Sequence, residues 1–213
     1  MYVAIEGVIG VGKTTLARLL QPIFNAEILL EVFEENPFLS DFYADRERYA
    51  FQTQIFFLLS RYHQQRRTVN EFLASGKDLF ADYTFAKDAL FAQINLKGDE
   101  LDMYYKVHEA LAEKIQKPDL LVYLQASTDT LMQRIAQRDR PYERQMERAY
   151  IDELNHAYDS FYAKPFDGTP VLTIETDNLN FVQTPEHLRL IEDRIRQSLR
   201  LPPFQQMLPL PNA

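Results

Sequence analysis

The sequence predicts a three-layer α/β/α fold built on a five-stranded parallel sheet, and three observations support this prediction. Short apolar runs alternate along the chain with longer segments whose apolar residues recur at helical spacing, which is typical of parallel sheets covered by helices. The length of 213 residues suits one domain with a single core. Finally, the stretch from Gly7 to Thr14 matches the phosphate-binding loop G-x-x-x-x-G-K-[ST], and it lies between an apolar run and a helical segment.

The predicted strands are the five short apolar runs at 2–5, 26–30, 79–81, 120–124 and 170–174. Helices are expected between them, at 15–20, 51–74, 85–94, 100–115, 128–137, 149–162 and 185–199. Short helix and loop are expected over 36–49, and Gly76 is expected to close the longest helix. Four prolines after residue 201 predict an extended, mobile tail over about 201–213. No internal repeat or second core is visible, so we expect one domain over 1–213.

Composition narrows the class of protein. The formal net charge of −8 argues against nucleic acid or an anionic membrane as the main partner. The chain has no cysteine, which excludes disulfides, thiol catalysis and cysteine–zinc sites and fits a cytoplasmic location. No signal peptide is expected, because the N-terminus already reads as the first strand. The longest strongly apolar run, 55–59, is far too short to span a bilayer.

The glycine-rich loop predicts a bound nucleoside triphosphate. Glycines let backbone N–H groups approach a phosphate without a side-chain clash, and the helix that follows adds its positive N-terminal end. We expect Lys13 to reach the β- and γ-phosphates and Thr14 to ligate Mg²⁺. The expected phosphate-binding residues of the loop are Gly7, Gly10, Val11, Gly12, Lys13, Thr14 and Thr15.

Glu31 is the candidate catalytic base. It follows the second predicted strand, and ligands bind at the carboxyl ends of strands in open α/β sheets. Transfer of a phosphoryl group to a hydroxyl needs such a proton acceptor near the attacking oxygen. Glu34 and Glu35 lie nearby, and no arginine occurs between Glu31 and Arg46, which favours a neutral hydroxyl acceptor over a phosphate monoester. The alternative interpretation is a solvated carboxylate in a turn.

Asp82 ends the third predicted strand and is the candidate partner of Thr14 at Mg²⁺. A helix N-cap is the compatible alternative.

A second cluster is basic and consists of Arg134, Arg138, Arg140 and Arg144. Charge that develops on a transferred phosphoryl group needs such a clamp. The alternative is a surface helix whose arginines pair with neighbouring carboxylates.

The long helix carries a candidate base-reading face. Gln54 and Arg61 are seven residues apart, hence on one face, and Tyr43, Phe56 and Phe57 are close in sequence. An amide and a guanidinium beside aromatic rings could read the edge of a nucleobase. Core packing is the alternative. The four histidines form no metal or triad pattern and are expected to be surface or helix residues.

Several stretches together resemble the deoxyribonucleoside kinases over nearly the whole chain, most closely their bacterial purine branch, with the deoxyguanosine kinases first and the deoxyadenosine kinases next. Beyond the loop, the stretches are Glu31-Val-Phe-Glu-Glu-Asn-Pro, Phe51-x-x-Gln54 with Arg61, Asp82-Tyr-x-x-x-Lys-Asp88, Arg134-x-x-x-Arg138-x-Arg140-x-x-Glu143, and a late Thr-Ile-Glu-Thr-Asp segment.

The resemblance implies a P-loop kinase fold and transfer of the ATP γ-phosphate to the 5′-hydroxyl of a deoxynucleoside. It implies catalytic roles for Glu31, Lys13 and Arg138, and a mobile lid over about 134–147. It further implies that Arg134, Arg138 and Arg140 act on the phosphates and that the loop from Asp177 to Phe181 lies near the adenine of ATP. A homodimer is also implied. The expected substrate-binding residues are Glu31, Tyr43 and Glu143 at the sugar, Gln54, Phe57, Arg61 and Asp88 at the base, and Asp82, Tyr83 and Lys87.

One departure concerns the residue after Asp82. Much of the family has an arginine there, near the 5′-oxygen and the phosphates, whereas this chain has Tyr83. We hypothesise that Lys87 or a lid arginine supplies the missing charge.

The preferred substrate is expected to be deoxyguanosine, because the Asp82-Tyr83 version of the motif resembles the bacterial deoxyguanosine kinases more than the deoxyadenosine kinases. In addition, Asp88 could accept hydrogen bonds from guanine N1–H and the 2-amino group. A protonated or Arg61-paired Asp88 could serve adenine, so a deoxyadenosine or broad-specificity kinase stays open. A nucleoside monophosphate kinase and a regulatory nucleotide-binding protein are the remaining alternatives.

Overall fold

Five parallel strands form one sheet in the order β2-β3-β1-β4-β5. The computed structural model describes residues 1–163 and 168–203. The strands are Tyr2–Glu6 (β1), Glu27–Leu29 (β2), Leu79–Ala81 (β3), Leu120–Gln125 (β4) and Val171–Glu175 (β5). All five predicted strands are therefore confirmed, and residues 204–213 of the predicted tail lie outside the described residues.

Helices cover both faces of this sheet. They are Lys13–Phe24 (α1), Leu39–Ala44 (α2), Arg46–Ala74 (α3), Lys87–Asn95 (α4), Gly98–Ala112 (α5), Thr128–Arg138 (α6), Arg148–Tyr162 (α7) and Pro185–Ser198 (α8). Two 3₁₀ turns, Phe33–Glu35 and Pro141–Glu143, complete the connections near the site. Among the residues with described placement, no helix is long and apolar enough to cross a membrane.

The alternation of side chains along β1 explains the layers. Val3 and Ile5 belong to the larger core cluster, whereas Tyr2 and Ala4 belong to a smaller cluster that also contains Val69 of α3. Successive strand residues point to opposite faces, so both faces of β1 are buried. The three-layer α/β/α prediction is thus confirmed.

Helix α3 begins earlier than its apolar pattern predicts, at Arg46 rather than at residue 51. The cause is Asp45, whose carboxylate caps the helix by accepting a hydrogen bond from the Arg48 N–H at 3.3 Å. Ser127 caps α6 in the same way, through its hydroxyl oxygen and the N–H of Thr130.

The strand order places a crevice above β1 and β3. The chain leaves β1 toward one edge of the sheet, and after β3 it crosses to β4 on the other side. Loops that diverge from neighbouring parallel strands leave room for a ligand outside their carboxyl ends. The loop after β1 and the residue after β3, Asp82, therefore face the same crevice.

Candidate active site

The loop after β1 has the backbone that its glycines predict. Gly7, Gly10 and Gly12 have φ angles of 146°, 88° and 108°, a region that favours glycine. A Cβ on Gly7 would lie 2.5 Å from the carbonyl oxygen of Leu124, so the close approach of β4 also requires glycine there. Lys13 Nζ donates to the carbonyl oxygens of Gly7 at 2.7 Å and Val8 at 3.2 Å. The ammonium group therefore lies inside the loop that is expected to hold phosphate.

Burial, together with the nearby positive charge of Lys87, lowers the pKa of Lys13 to about 8. Partial compensation comes from the Glu6, Glu31 and Asp82 carboxylates.

Asp82 connects the loop helix to the end of β2. Its Oδ2 accepts from the Thr14 hydroxyl at 2.5 Å, and its Oδ1 accepts from the Glu31 N–H at 2.8 Å. It is not the N-cap that the alternative interpretation proposed, because α4 begins at Lys87 and its N-cap is Ala86. A hydroxyl and a carboxylate side by side fit Mg²⁺, which typically takes one or two carboxylates together with substrate phosphates. The described residues contain no cluster of three or more His, Cys, Asp or Glu side chains that could hold a metal.

Glu31 lies between two cations. Its Oε1 accepts from Arg61 Nε at 2.8 Å and Nη2 at 2.5 Å, and its Oε2 accepts from Lys87 Nζ at 2.6 Å. Burial alone would raise the pKa of Glu31, but Arg61 and Lys87 outweigh burial and hold the pKa well below its ordinary value. Glu31 is therefore an ionised carboxylate at the crevice, not a solvated turn residue.

Arg61 continues from Glu31 to Asp88. Its Nη1 donates to Oδ1 of Asp88, a side chain with no exposed surface, and its guanidinium lies 4.4 Å from the centre of the Phe57 ring. The other carboxylate oxygen of Asp88 and the side-chain oxygen of Gln54 are buried without a hydrogen-bond partner among the described residues. Buried acceptors without partners are costly in a folded protein, so these two atoms mark where a ligand could donate.

The segment after α6 closes the same pocket. Arg138 Nη2 donates to both carboxylate oxygens of Glu143, to Oε1 at 2.6 Å and to Oε2 at 2.7 Å. The Glu143 side chain is 4% exposed. Tyr142 stacks on Tyr43 with ring centres 6.3 Å apart, and Arg140 lies over the ring of Phe33. Burial raises the pKa of Tyr43 well above its ordinary value, so its hydroxyl stays protonated.

A second, more open pocket lies on the other side of the loop. Arg134 donates to the carbonyl oxygens of Val11 at 3.2 Å and Thr176 at 2.7 Å, and thus joins the loop to the segment after β5. The Asp177 carboxylate accepts from the Ser127 N–H at 2.9 Å. Phe181 packs against Gly12, where a Cβ would meet its ring at 3.0 Å. Arg134 and Asp177 are therefore already bonded to protein groups that shape this pocket.

Most of the predicted site residues line one pocket. They are Gly10, Lys13, Thr14, Glu31, Tyr43, Gln54, Phe57, Arg61, Asp82, Lys87, Arg138, Arg140 and Glu143. Gly10, Val11, Gly12, Thr15, Arg134, Arg138 and Asp177 line the second pocket. Tyr83 lies elsewhere: its ring is fully buried in the smaller core cluster, and its hydroxyl donates to Gln64 at 2.6 Å.

Sequence reasoning missed Glu6, the last residue of β1. This fully buried carboxylate accepts from the N–H of Thr84 at 2.6 Å and from that of Gly7 at 3.3 Å. It thus ties the phosphate loop to the segment after β3. The signal was present, because Glu6 is a carboxylate at the end of an apolar run, as Asp82 is. Phe33 and Tyr142, which line the first pocket, were missed because their surroundings were interpreted only for charge.

Comparisons with known proteins agree on one family. The family model described as "Deoxynucleoside kinase" matches residues 3–200. The chain is 35% identical to a deoxyguanosine kinase of Bacillus subtilis (strain 168), covering 92% of this chain and 96% of that protein. It is 32% identical to a deoxyadenosine kinase of Dictyostelium discoideum, covering 93% of this chain and 80% of the relative. It is 30% identical to the deoxyadenosine/deoxycytidine kinase of the same Bacillus strain, covering 91% and 90%.

A solved structure shares the fold. The deoxyadenosine kinase of M. mycoides, with the products dCMP and a flexible dCDP bound, superposes with a TM-score of 0.80 at 25% identity. The match covers 92% of this chain and all of that one.

Proposed function

The chain belongs to the deoxynucleoside kinase family, whose members are phosphotransferases with an alcohol acceptor, and from this we propose that it phosphorylates the 5′-hydroxyl of a purine deoxynucleoside with ATP, deoxyguanosine being preferred. The observation that carries this proposal is the pair of buried, unpartnered acceptors, Asp88 Oδ2 and Gln54 Oε1, in the part of the chain that the structure describes.

Guanine offers what these acceptors need. Its Watson–Crick edge has two neighbouring donors, N1–H and the 2-amino group, beside the O6 acceptor. Adenine has one donor there, and its N1 is an acceptor that an ionised Asp88 could not satisfy. Because a missing partner for a buried polar atom costs more than a hydrogen bond gains, the pocket should discriminate between the two purines.

The alternative is a deoxyadenosine or broad-specificity deoxynucleoside kinase. Two relatives are named for deoxyadenosine or for deoxyadenosine and deoxycytidine, which supports it. Chemically it needs either a protonated Asp88, which could donate to adenine N1, or a Gln54 amide turned to present its NH₂ group.

The proposed roles follow from position. Glu31 takes the proton of the 5′-hydroxyl, and Tyr43 and Glu143 hold the 3′-hydroxyl. Thr14 and Asp82 would hold Mg²⁺, which when bound neutralises charge on the phosphates. Lys13 and the loop N–H groups bind the phosphates, and Arg138 with Arg140 stabilises charge on the transferred group.

ATP is proposed to place its base in the second pocket, near Asp177 to Phe181. We also propose a single kinase domain over 1–213 with a lid over about 134–147, a cytoplasmic location, and a homodimer, as is typical of the family. Neither nucleic acid nor a membrane is a proposed partner.

Radiolabelled phosphate transfer from ATP to deoxyguanosine, deoxyadenosine, deoxycytidine and thymidine tests the proposal. We expect deoxyguanosine to give the largest kcat/KM, and Asp88→Asn to reduce the preference for guanine over adenine by about 10- to 100-fold, as expected for one charged hydrogen-bonding partner. Asp102→Asn is the matched control, since Asp102 is exposed on α5. Nucleotide binding without product from any of the four acceptors would contradict the proposal.

A further inference from the structure

Lys87 is a buried lysine whose hydrogen bond goes to the candidate base. It is the first residue of α4, its side chain is 4% exposed, and its Nζ lies 2.6 Å from Glu31 Oε2. A buried ion pair rarely adds net stability, because removing both charges from water offsets their attraction. Its presence at the crevice therefore points to a role in the reaction.

The surroundings fix this ammonium group near the phosphate loop. Its Nζ lies 5.4 Å from the centre of the Tyr83 ring, and its charge acts on Lys13, Glu6 and Glu31. It is therefore located between the end of β1, where the loop begins, and the end of β2, where Glu31 lies.

Apart from Arg61, which also bonds Glu31, the other cations of the first pocket have different partners. Lys13 is bonded to carbonyl oxygens of its loop, and Arg138 to Glu143. The guanidinium of Arg61 donates to both Glu31 and Asp88. A nucleobase bound at Asp88 would therefore compete with these carboxylates for the N–H groups of Arg61. Lys87 holds the oxygen of Glu31 that Arg61 does not.

Tyr83, directly after Asp82, cannot supply the charge itself. Its side chain is fully buried and uncharged, and its hydroxyl donates to Gln64. Lys87 brings a cation to this end of β3 from one turn further along the chain.

We propose that Lys87 is a positioning residue for Glu31, which it aims at the acceptor hydroxyl while it keeps one positive charge beside the attacking oxygen. This inference rests on the proposed function. In the reaction the hydroxyl proton passes to Glu31, and a bond forms between the 5′-oxygen and the γ-phosphorus. The bond from the γ-phosphorus to the β,γ-bridging oxygen breaks, and ADP leaves with that electron pair. Glu31 becomes neutral as it takes the proton, so the positive charge of Lys87 is no longer compensated by Glu31. This charge can then stabilise the negative charge on the oxygens of the transferred phosphoryl group.

The absence of cysteine makes a direct test of this charge available. In Lys87→Cys the new thiol is the only one in the chain, and it is alkylated in the unfolded state because position 87 is buried. Aminoethylation restores an ammonium group of nearly lysine length, whereas carbamidomethylation gives a neutral side chain of similar length. We expect the neutral form to lose about 100-fold in kcat, which is the size of loss seen when one electrostatic group of an active site is removed. The Kd values of ATP and of deoxyguanosine should stay within about threefold of those of the unmodified chain. The aminoethylated form should recover kcat to within about tenfold.

Lys106→Cys is the matched control, because Lys106 is exposed on α5, and both alkylated forms should be fully active. Lys87→Arg and Lys87→Met, expressed without refolding, repeat the charge comparison if the alkylated chains do not refold. The inference is overturned if the neutral forms keep kcat within about threefold, or if the charged forms, folded and binding ATP normally, are no faster than the neutral ones. Absence of transfer by the unmodified protein would instead overturn the proposed function.

Discussion

Glu6 and Glu31 are both buried carboxylates at the end of a strand, yet their environments act on them in opposite directions. Burial raises the pKa of Glu6, and the more distant Lys87 and Lys13 only partly compensate. Glu31 is in direct contact with two cations, and its pKa falls well below the ordinary value. Contact with a cation, not burial, therefore decides the direction in which the pKa of each carboxylate moves.

Lys13 gives a pH prediction. Its pKa in the ligand-free protein is lowered from 10.5 to about 8, so the ammonium group loses its proton as the pH rises through about 8. Bound phosphate favours the charged form and raises this pKa, so above about pH 8 ATP binding should take up a proton and weaken as the pH increases. Below about pH 7 Lys13 is already charged and should contribute no uptake.

Titration calorimetry of ATP in two buffers of different ionisation enthalpy measures this proton uptake. Lys13→Met is the control that isolates Lys13 from the titration of ATP itself, because the variant should lack the additional proton uptake that appears above about pH 8 in the unmodified chain. Equal proton uptake by the unmodified chain and Lys13→Met near pH 8.5 would contradict the assignment.

The segment after α6 is the element in which sugar recognition and phosphate binding meet. Glu143 is the proposed contact of the 3′-hydroxyl, and both of its carboxylate oxygens also accept hydrogen bonds from Arg138. We predict that the unmodified chain prefers deoxyguanosine to 2′,3′-dideoxyguanosine by about 10- to 100-fold in kcat/KM, and that Glu143→Ala largely abolishes this preference.

The ratio of the two substrates measures the effect of the 3′-hydroxyl, including any release of Arg138 that this hydroxyl causes, because damage common to both substrates cancels in the ratio. Steady-state kinetics give the ratio, and Glu147→Ala is the control, since Glu147 is exposed at the start of α7. A preference that survives Glu143→Ala would place the 3′-hydroxyl elsewhere, and Tyr43→Phe then tests the other predicted contact.

Elements were predictable where periodicity extends over several residues, and their ends were not. The apolar runs located every strand, but α3 begins at Arg46 because of a cap that apolar spacing does not reveal. The predicted helix over 85–94 begins at Lys87, and the helix predicted to start at residue 100 begins at Gly98. Such boundaries depend on single hydrogen bonds and φ angles, which periodicity does not encode.

At the scale of the whole molecule, it was easier to predict which residues form the site than to predict which residues they contact. Glu31, Arg61 and Asp88 were expected at the acceptor, but their connection through one guanidinium depends on the crossing of α3 and α4 above the sheet. Arg134 was expected as a phosphate clamp, and its bonds to the backbone carbonyls of Val11 and Thr176 were not foreseen, because they form where the loop after β1 meets the segment after β5. His108 lies in a helix, as expected, but its stacking on Phe85 was not foreseen. Long-range contacts of this kind follow from topology and not from spacing.

The two pockets share residues, so we predict that a ligand in one pocket affects binding in the other. Gly10 and Arg138 line the acceptor pocket and the second pocket alike. In the ligand-free structure Arg138 is held by Glu143, and an acceptor whose 3′-hydroxyl competes for Glu143 would release Arg138 toward the phosphates. Deoxyguanosine should therefore tighten binding of a non-hydrolysable ATP analogue by about fivefold or more, within the usual range of coupling between sites.

Linkage requires the nucleotide analogue to tighten deoxyguanosine binding by the same factor, so the two calorimetric titrations check each other. Arg138→Met should bring the factor close to one, because the residue common to both pockets has lost its charge. Arg144→Met is the matched control and should leave the factor unchanged, since Arg144 is exposed and pairs with Asp139 outside both pockets. Coupling that persists at full strength in Arg138→Met would show that the two sites communicate through the phosphate loop itself, with Gly10 as the shared residue.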